Sequence, residues 1–192
     1  MDLGTGQVFA IPAGDKKTET VSGFMRWIMR DEPAKRYYCD NGSELVKAAQ
    51  GAGMIVQTST PGKPMNNHRA ESNNRLLMSG ARAASVAAGL PGCFWTYSLP
   101  YAACAANISR DVDGATAYER RFGFRFPGEH FPFGNAVYYS PTKTSDKRSK
   151  ADPRLRLGLF LGWRLTPGGK WNGDYIIADI NDFVSRSMRQ GL

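Results

Sequence analysis

The chain has 192 residues, enough for one ordinary domain with a hydrophobic core, or for one domain and a small module. Its net charge of +8 and pI near 9.6 favour a polyanionic partner, nucleic acid before membrane, although solubility alone explains many basic proteins. Three isolated cysteines argue against a disulfide framework or a zinc site and indicate reduced thiols in an intracellular protein, and neither a bilayer-spanning apolar run nor a signal peptide is visible.

The first third of the chain is typical of alternating strands and helices. Residues 7–11 alternate in polarity and predict a strand that stops at Pro12. Residues 35–39 predict a second strand and residues 54–57 a third. Between them, residues 43–52 predict a helix capped by Ser43. An earlier amphipathic helix over residues 18–29 is predicted from apolar side chains at helical spacing: Val21, Phe24, Met25 and Ile28.

Two carboxylates stand at prominent positions. Asp40 closes the strand that Asn41-Gly42 then stops, and Glu71 lies in the first turn of a helix that begins near residue 68. A divalent cation such as Mg²⁺ prefers hard oxygen ligands, and one or two carboxylates with substrate phosphates suffice to hold it. Taken alone, the pair favours plainer roles, because a strand-end Asp is often a turn former and an Asp or Glu early in a helix interacts with its macrodipole.

The helix that contains Glu71 has two distinct sides. Leu77 and three alanines supply the packing side, and Gly89-Leu90-Pro91 ends the helix. Positions three and four apart are neighbours on a helix, so one stripe carries Glu71, Asn74, Arg75 and Met78. On the residues alone, a solvated helix face is the preferred explanation for Arg75.

The second half of the chain changes from helices to short strands. An apolar stripe over residues 94–103 predicts a buried helix with a kink or break at Pro100, and residues 116–122 predict a short helix before an aromatic, proline-punctuated connection. Strands are predicted over residues 136–139, 158–163 and 174–180, with turns at Pro167-Gly168-Gly169 and Asn172-Gly173. The loop over residues 142–156 carries six cations: Lys143, Lys147, Arg148, Lys150, Arg154 and Arg156.

Several of these motifs together carry a family resemblance. The segments Asp40-Asn41-Gly42-Ser43-Glu44-Leu45, Ser59-Thr60-Pro61-Gly62-Lys63-Pro64 and Ala70-Glu71-Ser72-Asn73-Asn74-Arg75 resemble the catalytic core of retroviral and retrotransposon integrases. The copia-type branch is indicated by later motifs: Gly89-Leu90-Pro91, Phe94-Trp95, Asn107, Thr116-Ala117-Tyr118-Glu119 and Phe133-Gly134.

The resemblance implies an α/β fold of two parts. Residues 1–125 would form a ribonuclease-H-like integrase core that lacks its first strand, and residues 126–192 a small SH3-like β-barrel. That family places its first catalytic Asp on a strand ahead of a hairpin turn between its second and third strands, and the turn over residues 2–6 resembles that hairpin turn. If Asp2 were the first catalytic Asp, two strands would have to fit between Leu3 and Lys17, where there is room for one. The first member of the Asp-Asp-Glu triad is therefore expected to be missing from this chain. His68 also stands where the family usually has glycine.

The same resemblance implies DNA integration, namely metal-dependent processing of DNA ends and their transfer into target DNA, with little or no activity for an incomplete core. Asp40 and Glu71 would be catalytic ligands of Mg²⁺ or Mn²⁺. DNA contacts would come from six side chains: Lys63, Asn74, Arg75, Lys147, Arg148 and Lys150. The implied partner is DNA and no membrane, with homo-oligomerisation and action in the nucleus, otherwise in the cytoplasm. The alternative is a non-catalytic nucleic-acid-binding module derived from a retroelement.

Overall fold

The structure is a computed structural model that describes residues 1–30, 34–58, 68–109, 111–141 and 153–183, without the side chains of residues 68, 69, 111 and 112. The described helices are α1 (Thr18–Met29), α2 (Ser43–Gly51), α3 (His68–Ala87), α4 (Trp95–Ser109) and α5 (Ala117–Phe122), with 3-10 turns at Gly92–Phe94 and Ile180–Phe183. The described strands are β1 (Arg36–Cys39), β2 (Ile55–Thr58), β3 (Asp111–Val112), β4 (Ala115–Thr116), β5 (Ala136–Tyr139), β6 (Arg156–Leu165) and β7 (Trp171–Asp179).

The first half confirms the predicted alternation of helices and strands. Strands β1 and β2 pair in parallel, with Cys39 opposite Thr58 at the carboxyl end. Helices α1 and α2 pack on one face of this pair through an apolar cluster: Met25, Ala48, Ala49 and Met54, with Val21, Met29, Tyr37 and Val56 at its margin. Helix α2 begins after Gly42, which occupies the cap position without a side-chain hydrogen bond, so the predicted cap by Ser43 is wrong.

The strand predicted over residues 7–11 is absent, because a side chain replaces the expected strand partner. The buried amide of Asn107 in α4 accepts a hydrogen bond from the Val8 N–H at 2.9 Å and donates one to the Val8 carbonyl at 2.8 Å. This satisfies both backbone groups of Val8 without a ladder. Val8 then packs with Leu77 and Ala103, so the segment is fixed against α3 and α4.

Helices α3 and α4 form a packed pair. The predicted packing side of α3 is confirmed, since Leu77 and Ala81 are buried, while Gly80 brings the backbone close to Ala102. Helix α4 continues through Pro100, so the chain does not break there. The predicted apolar stripe of α4 is wrong at Trp95, whose surface is 51% exposed, although Ser98, Ala102 and Ala103 are buried as expected.

The C-terminal strands form an antiparallel sheet in the order β5-β6-β7. Within the described part of the chain this sheet is open, so an SH3-like barrel is not established. The turn predicted at Asn172-Gly173 is wrong because both residues lie inside β7. They lie opposite the point in β6 where the pairing register shifts between Trp163 and Leu165. Gly173 has φ +106°, and a positive φ of this kind accommodates a bulge in the strand.

An aromatic core joins this sheet to α4 and α5. Its buried members are Cys104, Ile108, Tyr118, Phe160 and Trp163. The ring of Tyr101 in α4 stacks on Trp163 of β6, with centroids 5.4 Å apart. The core therefore draws residues from both sides of the predicted boundary at residues 125 and 126. Among the helices that the structure describes, none has the length and hydropathy needed to cross a membrane.

Candidate functional site

Asp40 lies where the sequence predicts it, directly after the last residue of β1. Its side chain is exposed at the carboxyl end of the parallel pair, and its Oδ1 accepts a hydrogen bond from the Gly42 N–H at 3.3 Å. An Asp that binds the backbone two residues ahead turns the chain locally. The bond therefore links the end of β1 to the start of α2 and fixes Asp40 beside the strand end.

Glu44 is a second carboxylate at this corner, and sequence reasoning did not single it out. A side chain built at Gly42 would meet Glu44 Oε1 at 3.1 Å and Asp40 Oδ1 at 3.2 Å. Both oxygens therefore approach the same point, and residue 42 must be small to leave them room. The sequence pattern that could have identified Glu44 is an Asp at a strand end followed by a Glu in the first turn of the next helix.

Glu71 lies in the first turn of α3, and its neighbours on the predicted stripe are confirmed as exposed. Asn74, Arg75 and Met78 share the solvent side of the helix, while Leu77 faces the core. Residues 59–67, which join β2 to α3 and include Lys63, lie outside the described residues. The sharing of one cation by Asp40 and Glu71 stays a prediction.

The donor chemistry of the two predicted ligands fits a hard divalent cation. Both are exposed carboxylates, and Mg²⁺ usually keeps several waters and takes one or two carboxylates rather than a closed protein cage. Within the described ranges, no group of three or more His, Cys, Asp or Glu side chains comes together as a metal site. A complete three-acid centre is thus not assembled by the described residues.

Asp2 is engaged in structural contacts within the first turn of the chain and with α5. Its carboxylate accepts hydrogen bonds from the Gly4 N–H at 2.9 Å, from Thr5 Oγ1 at 2.7 Å and from Arg121 Nη1 at 3.1 Å. Burial alone would raise the pKa of Asp2, but local hydrogen bonds from Thr5 and Gly4 and the charge of Arg121 outweigh it and lower that pKa.

The lowered pKa of Asp2 gives an expected acid sensitivity. The unfolded chain binds a proton at the ordinary value of 3.8, and the folded chain only at lower pH. The ionised carboxylate therefore stabilises the fold above that value, and this contribution is lost as the pH falls through the folded pKa. Urea midpoints measured from pH 6 to pH 3 should fall, and Asp2→Asn should flatten the acid limb. Identical profiles for both proteins would contradict the assignment.

The predicted basic contacts lie mainly in residues 142–152, outside the described part of the chain, so Lys147, Arg148 and Lys150 stay predictions. Arg156 is described and is held within the sheet, with Nη1 at 3.4 Å from Asp179 Oδ2. Tyr139 donates to the same oxygen at 2.7 Å. Burial and the Asp179 carboxylate raise the pKa of Tyr139 to about 12. Arg156 and Tyr139 therefore share Asp179 as a partner, while 37% of the Arg156 side chain is exposed.

Comparisons with known proteins reveal a shared fold. No protein-family model matches the sequence, and no curated protein matches it. The crystal structure of the catalytic core domain of BIV integrase aligns with 60% of this chain and 77% of its own, at 19% identity and a TM-score of 0.47. A chain in the cryo-electron-microscopy structure of the simian T-cell lymphotropic virus intasome with PP2A regulatory subunit B56 gamma aligns with 93% of this chain and 67% of its own, at 18% identity and a TM-score of 0.53. The protein is therefore a mixed α/β chain that shares its fold with a chain of that intasome structure.

Proposed function

We propose that this chain is the core of a copia-type retroelement integrase, a metal-dependent enzyme class that processes DNA ends and joins them to target DNA. The observation that carries the proposal is the position of Asp40, an exposed carboxylate held at the carboxyl end of a parallel strand pair. Open α/β sheets place their ligands at this end. The fold likeness to a chain of an intasome structure supports the same class.

Asp40 and Glu71 would hold Mg²⁺ or Mn²⁺ in this enzyme. Such ions, when bound, favour attack by an oxygen nucleophile on a phosphodiester and stabilise the leaving oxygen. Asn74 and Arg75 follow Glu71 on the exposed side of α3 and would contact phosphates of the substrate strand. A guanidinium suits this role because its planar fork matches two phosphate oxygens. Lys63 would supply another cation in the preceding segment.

We expect this enzyme to have low strand-transfer activity. Two predicted acids, in place of three, neutralise less of the charge of bound cations and fix their positions less firmly. Within the described residues, no three-group metal site compensates for this. Little or no strand transfer is therefore expected from residues 1–192, so the decisive test measures cation binding as well as DNA joining.

Cation binding can be mapped with Mn²⁺, which broadens the NMR signals of nearby nuclei. We expect the amide signals of residues 40 and 71 to broaden at the same Mn²⁺ concentration, and Asp40→Asn or Glu71→Gln to weaken Mn²⁺ binding about tenfold. Asp113→Asn is a matched control, since the Asp113 side chain is 92% exposed and lies beside Arg120 in another part of the chain. Unchanged Mn²⁺ affinity in Asp40→Asn, or no broadening at residue 71, would overturn the shared site.

A non-catalytic nucleic-acid-binding module is the second candidate. It is favoured by the net charge of +8 and by the lack of a three-group metal site among the described residues. It predicts DNA binding that falls with salt but is indifferent to EDTA and to Asp40→Asn. Mg²⁺-dependent joining of DNA ends that is lost in Asp40→Asn would exclude this candidate.

The proposed organisation follows the same resemblance. Residues 1–125 would be the ribonuclease-H-like core and residues 126–192 an SH3-like module built on the β5-β6-β7 sheet. The two parts would share an apolar interface, because Tyr101 of α4 stacks on Trp163 of β6. DNA partners, homo-oligomerisation and action in the nucleus belong to the same proposal.

A further inference from the structure

A cleft of about 320 Å³ opens on a part of the molecule that the proposed active site does not use. It lies between the carboxyl end of α4, the β4–α5 junction and the connection that precedes β5. Its chemistry comes from six side chains: Ser109, Thr116, Glu119, Arg125, Phe126 and His130. Small-ligand sites have about this volume and combine aromatic walls with a few polar groups.

One wall of the cleft is aromatic, and further aromatic rings pack behind it. The Phe126 ring meets Tyr118 edge to face at 5.2 Å and Trp163 at 5.9 Å. His130 is exposed, and its ring lies 5.7 Å from Phe126 and 6.3 Å from Trp163. Unpaired nucleic-acid bases stack on aromatic side chains, histidine included. A flat heteroaromatic ligand therefore suits this wall.

At the polar end of the cleft, an acidic side chain lies beside a cationic one. Glu119 Oε1 lies 3.8 Å from Arg125 Nε, and the Glu119 N–H is fixed by its hydrogen bond to Thr116 Oγ1 at 3.1 Å. A carboxylate has about four acceptor positions and no donor, so Glu119 retains the capacity to accept further hydrogen bonds. Arg125 is 86% exposed and can reach an anionic group at the mouth of the cleft.

We propose that this cleft binds a guanine nucleotide. The base would lie against Phe126 and His130, and Glu119 would accept hydrogen bonds from guanine N1–H and N2–H. The exposed Arg125 side chain would turn away from Glu119 to meet the phosphate at the mouth of the cleft. Guanine presents these two donors side by side on its Watson–Crick edge, whereas adenine and cytosine each place an acceptor next to their amino group. A carboxylate therefore distinguishes guanine from the other bases. The proposal does not depend on metal binding or DNA joining.

Calorimetric titration of residues 1–192 with GMP, AMP, CMP and UMP tests the selectivity. We expect GMP to bind about tenfold more tightly than AMP, and Glu119→Gln to remove this preference, because the amide loses one acceptor for guanine and offers adenine a donor beside an acceptor. Glu129→Gln is the matched control, since the Glu129 carboxylate is not part of the cleft lining. Equal binding of all four nucleotides, or equal loss in both variants, would overturn the proposal.

Two further measurements keep the proposal testable if Glu119→Gln is poorly folded. Arg125→Gln should weaken GMP about fivefold yet leave guanosine unchanged, because only GMP carries the phosphate. A single-stranded tetranucleotide with one guanine should compete with GMP, which would place the guanine of a strand in the cleft. Binding of GMP without such competition would assign the site to a free nucleotide. Absence of binding by both GMP and the tetranucleotide would refute it.

Discussion

Replacement of Arg121 by methionine is expected to lower the free energy of unfolding by about 3 to 4 kcal/mol. The Arg121 side chain is only 10% exposed and its guanidinium holds three separate segments. It donates from Nη1 to Asp2 Oδ2 at 3.1 Å, from Nε to the Gly168 carbonyl at 3.0 Å and from Nη2 to the Ile28 carbonyl at 3.2 Å. Methionine keeps most of the apolar stem but removes the Arg121 donor from all three acceptors, and Asp2 Oδ2 keeps its hydrogen bond from Thr5 Oγ1.

The neighbouring residue supplies the control. Arg120 pairs with Asp113 at 3.8 Å, and the Asp113 side chain is 92% exposed, so Arg120→Met should cost less than about 1 kcal/mol. Arg121→Lys tests the contribution of the planar guanidinium group, since a lysine retains the charge but cannot donate to three acceptors in fixed directions. Urea unfolding at pH 7 measures all three variants. Similar midpoints for Arg120→Met and Arg121→Met would contradict the assigned role.

This network explains why the N-terminal turn and the C-terminal hairpin are held together. The Gly168 N–H donates to the Trp27 carbonyl at 2.7 Å, next to the Ile28 carbonyl that Arg121 binds. The end of α1 and the β6–β7 turn therefore contact each other directly as well as through Arg121. Asp2 belongs to the same network through its hydrogen bond from Arg121.

Local patterns in the sequence predicted the regular elements well. The apolar spacing of α1 gave its observed bounds, Thr18–Met29, and the strand over Ala136–Tyr139 also matched. Both segments carry their signal within a dozen residues. Asp40 was placed correctly for the same reason, since the Asn41-Gly42 turn that follows it is a local feature.

These local patterns could not predict contacts between residues that are far apart in the sequence. Asn107 replaces a strand partner for Val8 across 99 positions, and no local spacing distinguishes it from any other helical asparagine. The sequence does not distinguish the buried Arg121 from its neighbour Arg120, since both are arginines in the same short helix. The approach of Glu44 to Asp40 needed the turn geometry at Gly42. Whether Glu71 completes the site depends on the packing of α3, which helical periodicity does not define.

Gly134→Ala is the second substitution with a large expected effect, a loss of about 3 kcal/mol. Gly134 has φ +72°, and a Cβ at this position would lie 2.4 Å from the Ala88 Cβ and 3.3 Å from Leu90 Cδ1. Its N–H also donates to the Phe160 carbonyl at 2.7 Å, which limits how far the Gly134 backbone can move away from Ala88. Alanine therefore incurs both the cost of a left-handed conformation and that of a clash with the segment after α3.

Gly123→Ala separates these two costs. Gly123 ends α5 with φ +76°, but nothing lies within 4 Å of its Cβ position, so alanine there should cost only about 1 kcal/mol. The double variant Ala88→Gly/Gly134→Ala removes the nearest clashing atom and should be more stable than the two single losses added together predict. Chemical unfolding of the wild type, Ala88→Gly, Gly134→Ala and the double variant measures this coupling, and Gly123→Ala is measured beside them. Equal losses for Gly123→Ala and Gly134→Ala, with additive behaviour of the double variant, would show that the contact with Ala88 does not form.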